Sequence, residues 1–143
     1  MSVIILRGTK GSPLEHQEVD DNFTNLNNDK AGYISGEGDT KTQTTNKTTT
    51  VAMTSAKKCG KIIMNNAELA ANTTVVFQVN SDAVAATNVI VVNHSSVGTA
   101  GDYLVWVCAV ASGSFKIAVR NMTSSAKSEA IVLSYAIVKA VAA

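Results

Sequence analysis

From about Lys58 to Val138, apolar and polar positions alternate with a period of two, the repeat of a pleated strand whose successive side chains face opposite ways. Val75, Phe77 and Val79 fall on one side of such a strand, with Val76, Gln78 and Asn80 on the other. Val89, Val91 and Asn93 alternate with Ile90, Val92 and His94, and Phe115, Ile117 and Val119 with Lys116, Ala118 and Arg120. Ile131, Leu133, Tyr135 and Ile137 alternate with Val132, Ser134, Ala136 and Val138. Glycine, serine and asparagine punctuate these runs, as in a sandwich or barrel. The pattern predicts strands over 59–65, 74–80, 87–94, 102–111, 114–122 and 129–141, with Ser112-Gly113 in a tight hairpin turn. Tyr103–Ala111 is apolar on both faces, which predicts a central strand covered on both sides, as in a two-layer sandwich or an oligomer core. The last strand is apolar on both faces too and is expected to be central or covered by a partner chain.

The first fifty residues follow other rules. Val3-Ile-Ile-Leu6 is a short apolar arm, expected to pair with its own domain or with a neighbouring chain. Ser12 as N-cap and Pro13 at the first helical position predict a helix from about Pro13 to Asn28, with Glu15 and Glu18 at its positive end. Its apolar positions are Leu14, Val19, Phe23 and Leu26, and from Val19 on they are spaced by four and three residues, as in a coiled-coil seam. A lone helix of this length is marginal in water, so it is expected to dock or to bundle with copies of itself. Residues 32–50 are rich in Gly and Thr and read as a linker, with strand pairing from about Thr48 onward. The expected fold is mainly β: an antiparallel, jelly-roll-like β-sandwich head over 51–143, preceded by an anchor arm and helix over 1–31 and a Thr-rich linker over 32–50.

Composition narrows the function classes. In 143 residues the charged fraction is 16% and the formal net charge +1. That disfavours nucleic-acid binding by bulk phosphate neutralisation, and no nucleic-acid partner is expected. No apolar run has the length of a membrane helix and the N-terminus lacks the features of a signal peptide, so the expectation is a protein made and left soluble, with no membrane partner. The Asn-x-Ser/Thr triplets at Asn22, Asn46, Asn72, Asn93 and Asn121 then reflect composition rather than glycosylation. Cys59 and Cys108 lack a C-x-x-C arrangement and are expected to be buried thiols acting as small hydrophobes, with a disulfide as the other option.

Candidate chemistry is sparse. His94 adjoins Ser95 and Ser96, but adjacent residues cannot supply the geometry of a nucleophile–base pair. Glu68, Asp82, Asp102 and Glu129 fall in loops or at strand ends, with no spacing that pairs them as glycosidase carboxylates. Gly36-Glu-Gly-Asp39 lacks the ligand ladder of a calcium loop. Trp106 and Tyr103 could stack on a sugar, yet core packing is the expectation on a strand with two apolar faces. No catalytic residue, cofactor or metal site is expected.

One string is more informative. Arg7-Gly-Thr-Lys-Gly-Ser-Pro-Leu14, followed by Glu18-Val-Asp-Asp-Asn-Phe-Thr-Asn-Leu-Asn27, resembles the N-terminal segment of tailed-bacteriophage tail-fibre and related virion proteins. The second half resembles a β-module at the C-terminal end of phage fibre and decoration proteins, through Cys59-Gly-Lys-Ile-Ile-Met-Asn65, Val91-Val-Asn-His94, Gly98-Thr-Ala-Gly101, Val119-Arg-Asn121, Ser128-Glu-Ala-Ile-Val-Leu133 and Ala136-Ile-Val-Lys139. The resemblance implies a non-enzymatic virion component, usually a homotrimer, assembled in a host cytoplasm. Its N-terminal segment, with Leu14, Val19, Phe23 and Leu26, would attach to other virion proteins of the tail or capsid. Its β-head would face outward, toward a host-surface glycan. The chain has no repetitive shaft such as tail fibres commonly carry, which keeps a head fibre or capsid decoration protein open as the alternative.

Overall fold

The computed structural model describes residues 13, 15–31, 38–53 and 57–139; of residues 25–31 it describes the backbone alone. The chain divides into two units, Met1–Gly36 and Glu37–Ala143. The apolar arm at Val3–Leu6 and the N-cap expected at Ser12 lie outside the described residues.

Among its described residues the first unit contains one helix, α1, His16–Ala31. It begins three residues after the predicted start. The backbone N–H of Glu15 donates to the Glu18 carboxylate at 2.9 Å, one half of a capping box, so Glu15 takes the cap position. The Gln17 amide donates to Asp21 one turn on, at 2.9 Å.

The second unit is a sandwich of two four-stranded sheets. Its strands are β1 Asp39–Thr42, β2 Val51–Ala52, β3 Cys59–Ile63, β4 Thr74–Asn80, β5 Val89–Ser96, β6 Tyr103–Ala111, β7 Ser114–Asn121 and β8 Val132–Val138. The first sheet has the order β1-β3-β8-β5 and the second β2-β4-β7-β6. From β3 to β6 the strands alternate between sheets, the interleaving of a jelly-roll-like sandwich. The pairs β3–β8, β8–β5, β4–β7 and β7–β6 are antiparallel. The outer pairs β1–β3 and β2–β4 are parallel, so both sheets are mixed rather than wholly antiparallel.

Most of the alternation in the sequence becomes the inside and outside of this sandwich. Phe77 and Val79 on β4, Phe115, Ile117 and Val119 on β7, and Leu133, Tyr135 and Ile137 on β8 face inward and are buried together with Ile62, Met64, Leu69 and Ile131. The rings of Phe115 and Tyr135 meet at 5.2 Å between centroids. β7 and β8 are interior strands, as the two apolar faces of β8 predict. Gly60 on β3 admits the Tyr135 ring: a Cβ there would lie 2.8 Å from the Tyr135 Cε1 and 2.7 Å from the Asp39 carbonyl oxygen. β6 and β7 join through a two-residue hairpin, Ala111 pairing with Ser114, with Gly113 at φ +78°.

Two expectations are corrected. The stretch 32–50 is not a linker throughout, because β1 lies within it and two of its polar residues are buried. The Gln43 amide donates to the carbonyls of Lys47 and Thr49 at 3.1 and 2.9 Å, and its oxygen accepts from the Asn65 N–H at 3.2 Å. Lys47 is 3% exposed, and its ammonium donates to the Asn65 and Glu129 carbonyls. A Thr-rich composition hides such pinning, since it works through side chain to backbone bonds rather than apolar burial. The second correction concerns β6, which is an edge strand rather than a covered central one. Tyr103 faces the core, while Leu104 and Trp106 face solvent from the outer side.

Candidate functional site

The four residues assigned to anchoring do not form one described cluster. Leu14 lies outside the described residues, and Leu26 is within α1 with its side chain undescribed. Val19 is half-buried, and Phe23 is 67% exposed. An exposed Phe ring on a short, polar helix has the apolar body that commonly anchors a contact between chains.

The sandwich carries a polar cluster around the start of β6. The Tyr103 hydroxyl donates to the Glu129 carboxylate, and burial together with this bond pushes the phenol well above its usual range. Lys127 and Asp102 form an ion pair at 2.6 Å. His94 meets the Tyr103 ring edge-on at 5.7 Å, and its Nε2 lies 2.6 Å from the Val97 carbonyl oxygen. Ser95 donates instead to the Val132 carbonyl at 3.0 Å, so these two neighbours do not form a nucleophile–base pair. Desolvation lowers the Lys47 pKa, offset in part by Glu129. Each of these groups fastens one segment to another, and none presents an unshared nucleophile to solvent.

Among the described residues, no three His, Cys, Asp or Glu side chains converge as metal ligands, and no helix is long and apolar enough to cross a membrane. A cavity of about 190 Å³ is lined by Lys58, Ala83, Ala85, Asn88, Ile137 and Lys139, with no carboxylate, hydroxyl or thiol side chain among them.

The most distinctive exposed surface is the outward side of the second sheet. The register places Trp106, Ala118 and Val76 in one row across β6, β7 and β4. Leu104, Arg120 and Thr74 form the row on one side, and Ala109, Lys116 and Gln78 the row on the other. Ala118 faces outward yet is 1% exposed, so its taller cross-strand neighbours close over it. Trp106 retains 36% exposure beside it. The ladder slips between Val107 and Ala109, which leaves Cys108 exposed at a bulge, its thiol 3.6 Å from the Lys116 carbonyl oxygen. The expectation of two buried thiols is thus corrected for Cys108; Cys59 is half-buried on the other sheet, and no disulfide joins them.

The sequence pattern singles out Trp106 and predicts it in the core. Period-two patterning cannot tell an apolar outward face from an inward one when both sides of a strand are apolar. The sequence signal available was the outward run of the partner strand, Lys116, Ala118 and Arg120, which marks that side as solvated.

No protein-family model matches the chain, and neither a curated protein nor a solved structure matches it.

Proposed function

We propose that the chain is a non-enzymatic structural protein of a tailed-phage virion: a short, homotrimeric tail-fibre or appendage protein. In this reading the segment through α1 attaches it to other virion proteins, and the β-head is presented for attachment to the host. The observation that carries the reading is the Glu18–Asn27 string, which resembles the phage segment and forms a helix with Phe23 exposed. A polar helix of sixteen residues gains little stability by itself in water, and burying Phe23 against copies of the same helix or against a virion partner supplies what is missing. The β-head supports the second half of the reading, because its buried Gln43, Lys47 and Asn121 are spent on cross-links between loops and strands, as suits a rigid display module.

The test is labelling of purified particles with an antibody to the head, together with light scattering on the purified chain. Label at the tail and a trimeric mass support the reading. A distribution over the shell favours capsid decoration instead. Absence from particles, with a monomeric mass, overturns both.

A further inference from the structure

We infer that the outward face of the second sheet binds a carboxylate-bearing polysaccharide, with the Trp106 indole as the stacking platform and Arg120 and Lys116 as the anion contacts. The inference rests on the host-attachment reading and names the ligand class and the side of the head that takes it.

Geometry supplies the first support. Arg120 and Lys116 lie on β7 two residues to either side of Ala118, the residue in register with Trp106. Their Cα atoms are therefore about 13 Å apart along the strand, with the indole row midway. Both cations are exposed, and neither is ion-paired among the described residues. A sugar ring laid on the indole places its C–H face against the apolar row, and acidic groups on neighbouring sugars fall toward one cation or the other.

Charge complementarity supplies the second. The outward positions of β2, β4, β7 and β6 include Ala52, Thr74, Val76, Gln78, Lys116 and Arg120 and contain no carboxylate. The face has an apolar centre, a positive charge on each side and a neutral hydrogen-bonding residue, Thr74 or Gln78, in register beside each charge. The Gln78 amide already donates to Asn80 at 2.7 Å, which fixes its carbonyl oxygen as an acceptor for a hydroxyl. An interleaved sheet fixes the backbone under all three rows, so the platform is formed before the ligand arrives.

The full-length chain is run in affinity electrophoresis through gels containing polygalacturonate, with neutral dextran as the comparison, and secondary structure is checked by circular dichroism. The expected result is retardation by polygalacturonate and not by dextran. Trp106→Ala is expected to weaken it at least tenfold, and Arg120→Gln and Lys116→Gln several-fold each. Lys61→Gln, the same charge change on the other sheet, is expected to leave it unchanged. No retardation, equal retardation by dextran, a Trp106→Ala variant that binds as well as the parent, or an equal loss in Lys61→Gln would each overturn the inference. So would a Trp106→Ala variant whose solution mass drops while its retardation is kept, since the face would then be a contact between copies. Label on particles without polygalacturonate binding sinks this inference alone. Binding that depends on Trp106, in a protein absent from particles, sinks the virion reading alone.

Discussion

The Lys47 ammonium donates a hydrogen bond to the backbone carbonyl of Glu129, 2.7 Å away and 82 residues later in the chain. The same ammonium reaches the Asn65 carbonyl, so one buried cation ties the Thr-rich segment both to the end of β3 and to the approach to β8. Lys47→Met keeps the stem and removes three donors, leaving two carbonyls without their partner. The expected loss is about 2–4 kcal/mol of head stability by chemical denaturation. A change within about 0.5 kcal/mol would mean that water replaces the ammonium.

Asn121 is 0% exposed and uses both ends of its amide. Its nitrogen donates to the carbonyls of Leu69, Ala70 and Ser125, and its oxygen accepts from the N–H and hydroxyl of Thr123. Asn121→Asp turns the donor end into an acceptor facing three carbonyls. It is expected to lower the melting temperature at neutral pH and to recover part of the loss in acid, where a protonated carboxyl can donate again. Equal melting of Asn121→Asp and the parent at neutral pH would sink this account.

Tyr135 presents the opposite case, a buried hydroxyl with no hydrogen-bond partner. Tyr135→Phe is expected to be neutral within about 0.5 kcal/mol, or stabilising, because no bond is lost. Burial, with Asp39 and then Cys59 adding to it, pushes the Tyr135 phenol up to about 12. The unfolded phenol ionises near 10, so its contribution is complete below about pH 10 and is lost as pH rises toward 12. Denaturation of the parent is therefore expected to become easier across that window, and the fall is expected to be smaller in Tyr135→Phe. Tyr103, raised in the same direction, remains in the variant and keeps the slope from vanishing.

Gly60→Ala is expected to cost about 1–3 kcal/mol, since the new methyl meets the Tyr135 ring and a backbone oxygen that cannot yield. Combined with Tyr135→Leu, only the share of that cost owed to the ring is expected to disappear, because the Asp39 carbonyl oxygen stays 2.7 Å from the new methyl. Additive losses in the double variant would place the strain on the Asp39 carbonyl alone.

Phe23→Ala separates the helix from the head. With the ring exposed in the single chain, head melting is expected to stay within about 0.5 kcal/mol of the parent. The trimer proposed above is expected, with the ring buried in its seam, to weaken by about 3–5 kcal/mol, visible as a lower mass in light scattering at micromolar concentration. An unchanged mass would place Phe23 outside any seam.

The sequence by itself determined β3 to β8 of the head, and it did so through alternation. Val75–Val79 and Phe115–Val119 each put one apolar set on one face, and a period-two pattern admits one burial choice when the other face is polar. It determined α1 to within three residues at each end, since spacing identifies a helix better than its caps do. The tertiary structure alone decided three things. It made Asp39–Thr42 a strand, because a short polar segment acquires strand character only by pairing, here with Cys59–Ile63. It buried Gln43 and Lys47, whose partners lie far along the chain and leave no local trace. It turned Trp106 outward on an edge strand. Where both faces of a strand are apolar, the sequence is symmetric between inside and outside, and only the position of the other sheet breaks that symmetry.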